Sequence, residues 1–136
     1  MKTTIIIPIH RLLVAISIMT FLALMSGCRK GGINGDLDGQ WQVMEVENLS
    51  TEQVTGPQQL YYCLYLHTVN LTGAGMVAGN MTYEGDRLTL EFPITSVAQL
   101  SQWYIYDQTT TFKVESLSGS HMVLLSDKVR ITFRKY

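Results

Sequence analysis

The sequence predicts a small all-β domain behind an export leader, and three observations carry that reading. Polar and apolar residues alternate with period two through most of the chain after residue 39. Short turn signals break that pattern at close intervals: Gly73-Ala74-Gly75, Glu84-Gly85-Asp86, Ser118-Gly119-Ser120 and Asp127-Lys128. The first 27 residues, by contrast, hold one apolar run flanked by positive charge. Seven or eight strands joined mostly by short turns suit a meandering antiparallel barrel or a β-sandwich.

In the leader, Lys2, His10 and Arg11 form a positive segment, and Leu12 to Met25 follows without a charge. That run is shorter than the ~20 apolar residues that span a bilayer. It ends in Leu24-Met25-Ser26-Gly27-Cys28, which resembles the lipobox of bacterial lipoproteins. The resemblance implies lipid on the Cys28 sulfur and cleavage just before it. Met25 departs from the usual leucine, and Leu24 stands one place early. Several acyl chains would give firm attachment, since each buried methylene contributes ~0.8 kcal/mol. Arg29 after the cysteine implies sorting to the outer membrane. No acidic cluster of the kind that marks some surface-exported lipoproteins follows Cys28, and the expected face is the periplasm.

Removing residues 1–27 leaves 109 of the 136 residues, the size of one domain. Lys2 and Arg11 leave with the leader and none of the 11 acids does, so 8 Lys/Arg face 11 Asp/Glu, a net charge of −3. This mild acidity argues against nucleic acid as a partner. Residues 28–38 are rich in Gly and Asp and are expected to be a lipidated cysteine plus a flexible tether, with the domain over 39–136.

Trp41 to Glu47 is the first expected strand. Asn48 to Leu60 contains Gly56-Pro57 and reads as a loop, with room for one helical turn. Tyr61 to Leu71 is a long β-prone run. Met76 to Tyr83 and Leu88 to Phe92 are strands, the second closed by Pro93. Thr95 to Gln102 could hold a short helix, and aromatic Trp103 to Tyr106 is expected to be extended. Thr110 to Leu117, His121 to Leu125 and Val129 to Lys135 complete the set. In the last, Val129, Ile131 and Phe133 alternate with Arg130, Thr132 and Arg134.

Three segments in order resemble the lipocalin-like domains of small Gram-negative lipoproteins: Gly39-Gln40-Trp41, then Gly85-Asp86-Arg87-Leu88-Thr89-Leu90, then Phe112 through Lys135. The resemblance covers Gly39 to Tyr136. It implies an up-and-down barrel of about eight strands. A barrel of that size is either filled by side chains or holds one small ligand.

No catalytic constellation emerges. Cys63 is the only cysteine besides Cys28, has no charged neighbour in sequence to lower its pKa, and reads as a small hydrophobe. His67 and His121 stand 54 residues apart and lack metal-ligand spacing, so no metal and no cofactor are expected. Alternation with Tyr65 and Val69 could point His67 into a barrel. Ser118-Gly119-Ser120-His121 lacks the strand-turn-helix setting of a nucleophilic serine. Glu45 and Glu47 share a strand face and read as solvent-facing, and the glycines at 73, 75 and 79 precede no helix that could bind a nucleotide. Asn48, Asn70 and Asn80 each begin an Asn-x-Ser/Thr triplet, a chance pattern in a bacterial lipoprotein.

The aromatic residues are the suggestive set. Rings with polar tips suit an apolar cavity or a partner surface. Trp41, Tyr65, His67, Trp103 and Tyr104 are the candidate ligand-binding residues. Leu60 to Leu66 is apolar on both faces, as in a strand covered by a sheet on one side and by a lid or partner on the other. The expected function is non-enzymatic binding of a small apolar or amphipathic molecule in the cell envelope. The alternative is a structural or protein-interaction lipoprotein with a filled core. Small inward residues would favour the first. A solid core with Tyr62, Trp103 and Tyr104 exposed would favour the second.

Overall fold

The computed structural model describes residues 8–27 and 33–136. They fall into two units divided at Gly31, each considered by itself. In the first, the apolar N-terminal segment forms helix α1 (Ile9–Gly27). No helix among the described residues is long and apolar enough to cross a membrane. Cys28, where lipidation is expected, lies outside the described residues.

The second unit is built from strands β1 (Gly39–Asn48), β2 (Val54–Thr55), β3 (Tyr61–Tyr65), β4 (Thr68–Thr72), β5 (Met76–Glu84), β6 (Arg87–Glu91), β7 (Thr109–Leu117), β8 (His121–Leu125) and β9 (Val129–Lys135). Each long strand pairs antiparallel with its neighbour, and β9 returns to pair with β1 from Asn48↔Val129 to Trp41↔Lys135. Eight strands therefore close a barrel. The two-residue β2 lies on the β1 edge at Val46 and Glu47, beyond the stretch that β3 covers. Closure settles the barrel-or-sandwich choice and leaves no long edge to template aggregation.

Period-two patterning places every second side chain inside. Tyr62 and Leu64, Val69 and Leu71, Leu88 and Leu90, Met122 and Leu124, and Val129, Ile131 and Phe133 are buried, and their strand neighbours are more exposed. Two bulges reset the alternation. One between Val43 and Glu45 lets both Val43 and Val46 face inward, and one between Val114 and Ser116 bends β7. The inward column of β5 is interrupted at Gly79. A Cβ there would lie 2.5 Å from both the Glu91 carbonyl oxygen and the Phe92 ring, so the missing side chain is what admits Phe92 to the core.

The two barrel ends differ. At the end where the chain enters, a 3₁₀ turn over Gly35–Leu37 buries Leu37 completely. The Trp41 indole Nε1 donates to the Leu37 carbonyl at 2.8 Å, and Lys135 Nζ sits 4.8 Å from the centre of the Trp41 ring. Lys135 Nζ also donates to the Asp36 and Asp38 carbonyls. Residues 34–38 are thus part of the folded unit and not a tether. The compositional signal misled because Gly and Asp here serve a tight turn around one apolar plug.

At the other end, the β6–β7 connection folds over the barrel. It contains α2 (Val97–Leu100), capped by Ser96, and a 3₁₀ turn over Ser101–Trp103. Leu100, Trp103 and Ile105 are fully buried. The expected extended conformation of Trp103 to Tyr106 is therefore wrong. Trp103 closes a helical turn, and Tyr104 ends it in the left-handed region at φ 65°.

Two other expectations fail locally. Residues 48–60 hold β2 and a turn at Leu49–Thr51, but no helical turn. Asn48 Oδ1 accepts from the Ser50 and Thr51 amides and supplies the local order. Tyr61 to Leu71 is not one run but the β3–β4 hairpin, turned at Leu66-His67 with Leu66 at φ 55°. Leucine in that region costs roughly 1–2 kcal/mol and gives no sequence signal. Bonds from Thr68 Oγ1 to the Tyr65 carbonyl and from Asn34 Nδ2 to the Leu66 carbonyl hold the turn.

Candidate functional site at the barrel mouth

Among the described residues, the barrel interior is occupied by side chains. Twenty-four buried apolar or aromatic residues form one cluster, with Trp41, Trp103, Tyr62, Phe92, Phe112 and Phe133 the bulkiest. Open space lies outside the core instead: a depression of about 470 Å³ beside Arg87 and Lys113, one of about 420 Å³ beside Asn70 and Ile94, and a pair of adjoining spaces at the end covered by the β6–β7 connection. A cavity of about 100 Å³ is lined by Val46, Thr55, Tyr104, Tyr106 and Val129, among others. A wider depression of about 450 Å³, lined by Asn48, Ser50, Tyr106, Asp127 and Lys128, adjoins it through Asn48 and Tyr106.

The rim is held from several directions. The Leu49 amide donates to the Lys128 carbonyl at 3.0 Å, tying the β1–β2 turn to the β8–β9 turn. Ser126 Oγ accepts from the amides of Lys128 and Val129, fixing the second turn. Lys128 Nζ lies 5.5 Å from the centre of the Tyr106 ring, within cation–π range. The left-handed backbone at Tyr104 turns its side chain back toward residue 58, and its hydroxyl donates to Gln58 Oε1 at 2.8 Å. Gln58 Nε2 is buried and has no partner, but Gln58 lines neither of the two spaces.

Below the rim, the Tyr62 hydroxyl donates to the Trp103 carbonyl, and Trp103 Nε1 donates to the Thr72 carbonyl at 2.8 Å. Burial pushes the Tyr62 phenol well above the usual tyrosine range, with Tyr106 and then Tyr104 adding to it. Tyr106 is raised too, by burial first and by Tyr104 second. Each phenol is thus a neutral hydrogen-bonding group at neutral pH.

This has a testable consequence for stability. The folded state holds the Tyr62 proton more tightly than the unfolded chain, whose phenol titrates near pH ~10. The contribution is whole below that pH and is lost as pH rises above it. Urea melts of wild type between pH 8 and 11 are expected to weaken steeply above pH 10. Tyr62→Phe should flatten that slope, while costing about 1–3 kcal/mol at neutral pH for the unpaired Trp103 carbonyl. Equal slopes would assign the alkaline loss to other groups.

Of the five candidate ligand-binding residues, only Tyr104 lines the mouth cavity. Trp41 and Trp103 are core residues whose indole nitrogens are satisfied by backbone carbonyls. Tyr65 is 62% exposed on the outer wall. His67 is exposed in the β3–β4 turn and does not point into the barrel. Tyr106, Lys128 and Asn48 were not singled out as ligand-binding from the sequence, although Tyr106 belongs to the aromatic set. They come from three segments spread over 81 positions, and no local spacing could have joined them. Cys63 is half-buried on the outer face of β3, its thiol raised by burial and partly offset by a hydrogen bond with Thr72. Among the described residues, no cluster of His, Cys, Asp or Glu could hold a metal.

The lipocalin-like domain family model matches residues 23–136. The chain belongs to the lipocalin-like domain family. Solved structures of two similar proteins share the fold. One is a lipocalin-like protein from Bacteroides uniformis ATCC 8492, with 22% identity and a TM-score of 0.66, covering 75% of this chain and 100% of that one. The other is an uncharacterized protein from Bacteroides eggerthii DSM 20697, with 19% identity and a TM-score of 0.61, covering 73% of this chain and 98% of that one. No curated protein matches the chain. In this lipocalin-like barrel, the Gly39-Gln40-Trp41 segment serves closure of the end where the chain enters, and the mouth lies at the opposite end.

Proposed function

We propose that this lipocalin-like protein is exported, lipidated on Cys28 and anchored at the outer membrane facing the periplasm, where it binds a small amphipathic molecule at the barrel mouth without chemical change. One observation carries the binding reading: a small cavity in which the polar side chains of Asn48, Gln53 and Thr55 meet the Tyr104 and Tyr106 rings, adjoining the wider depression at Asn48, Asp127 and Lys128. About 100 Å³ admits a ring or a short chain end, not a whole lipid. An acidic head would meet Lys128 Nζ at the rim. The filled interior speaks against storage inside the barrel. Burial of Tyr62 and Trp103 speaks against an aromatic docking surface of the expected kind.

The test is native mass spectrometry of the full-length protein after incubation with an envelope lipid extract. An adduct is expected, with affinity reduced on the order of fivefold to tenfold in Lys128→Ala or Tyr106→Ala, a change of about 1–1.4 kcal/mol. No adduct from any fraction would favour the second reading, an interaction lipoprotein, for which the filled core is the supporting observation. Anchoring has its own test. Globomycin should make the precursor accumulate, and Cys28→Ala should release the protein from membranes. Unchanged processing and retention would contradict lipidation.

A further inference from the structure

The outer face of β3 has found no use so far. Its sequence is apolar on both sides; on the outer side Tyr61 packs against Tyr136 and Cys63 is half-buried, and exposure is greatest toward the turn. Tyr65 is 62% exposed and Leu66 38% exposed beside it in the turn. Asn34 Nδ2 donates to the Leu66 carbonyl at 2.7 Å, which fixes this turn against the point where the chain enters the fold. Ile33, one residue earlier, is 69% exposed. An aliphatic and aromatic group thus flanks the first residue of the folded unit, at the end opposite the mouth.

We infer that this end of the barrel rests on the bilayer surface through Ile33, Tyr65 and Leu66, leaving the mouth turned away from the membrane. The inference depends on the reading of Cys28 as lipidated. Cys28 precedes Ile33 by five residues, which extend at most about 18 Å at ~3.6 Å each. The nine residues of β5 or β7 run about 30 Å at ~3.3 Å per residue, or about 23 Å along the axis of a barrel tilted ~40°. The linker therefore reaches less than the barrel length. The opposite end also exposes an apolar residue, Met76 at 76%, but so short a linker does not bring an upright barrel's far end to the membrane. Tyrosine and aliphatic side chains suit the interface, where a ring can bury its body and keep its hydroxyl wet. Arg29 and Lys30 lie within the linker, where anionic headgroups attract them. A ligand would then reach the mouth from the aqueous compartment and not from the bilayer.

The test is spin labelling of the full-length protein, with Cys63→Ser removing the native thiol and Tyr65→Cys or Met76→Cys providing the label site. Mass spectrometry first establishes that Cys28 carries acyl chains; a bare Cys28 would defeat the anchoring reading itself. The acylated protein is then placed in phosphatidylethanolamine–phosphatidylglycerol vesicles. The ratio of oxygen to nickel-complex accessibility is expected to rise several-fold at position 65 relative to detergent and to stay unchanged at position 76. Adding Leu66→Asp should abolish the rise while leaving acylation intact. Equal ratios at the two positions in an acylated protein would overturn the inference. Dipolar broadening at position 65 that vanishes on dilution with unlabelled protein would also overturn it, in favour of a second copy on that face.

Discussion

Trp103→Ala is expected to lower the unfolding free energy by about 3–5 kcal/mol, the range for removing a fully buried aromatic ring. Trp103 is 0% exposed, and it joins the β6–β7 connection to the wall at two points. Its Nε1 donates to the Thr72 carbonyl at the end of β4, and its carbonyl accepts the Tyr62 hydroxyl of β3. Losing the indole leaves the Thr72 carbonyl without its side-chain donor and opens a void beneath Tyr104. The surroundings are close-packed, so the void is not refilled without strain. Urea unfolding should show a lower midpoint at unchanged slope, and a small apolar probe such as benzene should recover part of the loss by entering the void. A loss under 1 kcal/mol would mean that the connection is not part of the cooperative core.

Trp41→Ala should cost a similar amount, about 3–5 kcal/mol, at the other end of the barrel. Trp41 is 0% exposed, holds the Leu37 carbonyl through Nε1 and lies under Lys135. Its removal should loosen residues 35–38 as well, because the indole is the donor to the Leu37 carbonyl and only the Lys135 bonds to the Asp36 and Asp38 carbonyls then tie that turn to the barrel. The two losses should therefore overlap. Leu37→Ala alone is expected to cost about 2–4 kcal/mol, and the double variant less than the sum, since the pair acts as one plug. Hydrogen exchange should show residues 35–38 losing protection in Trp41→Ala. Full additivity would mean that the plug and the tryptophan stabilise the barrel independently. The mouth lies at the far end, so its ligand affinity should hold in folded protein.

These effects also separate what alternation reveals from what it hides. The strands around Leu88-Leu90, Phe112-Val114 and Val129-Ile131-Phe133 were legible because a two-sided surface imposes period two and one bury-or-expose choice per residue. Turns with Gly73, Gly75 and Gly85 were legible because glycine marks backbone that other residues avoid. The β3–β4 turn was not, because Leu66 occupies the left-handed region with its carbonyl held by Asn34, 32 positions earlier. Nor was the end of the 3₁₀ turn at Tyr104, which has the same conformation without a glycine. The plug at Leu37 was hidden in a Gly-Asp composition that resembles a linker.

The site was less legible than the fold for a related reason. Tyr104 and Tyr106 stood in an aromatic segment, and their number suggested a cavity. Lys128 and Asn48 are ordinary turn residues until barrel closure pairs β9 with β1 at Val129 and Asn48. Trp41 and Trp103 drew attention for their size, and size is what filled the core. The polar groups that would orient a ligand belong to connections whose lengths and conformations follow from tertiary packing.

The central claim is that a ligand binds at the mouth and not in the interior, and amide NMR during titration with 8-anilinonaphthalene-1-sulfonate tests it most directly. This anionic aromatic probe matches the chemistry of the rim. Saturable shift changes are predicted at Val46, Asn48, Tyr104, Tyr106, Lys128 and Val129, with Val43, Leu90 and Ile131 unmoved. Changes centred on those three interior residues would contradict the claim in favour of an internal carrier, and absence of saturable change at the mouth would contradict binding there.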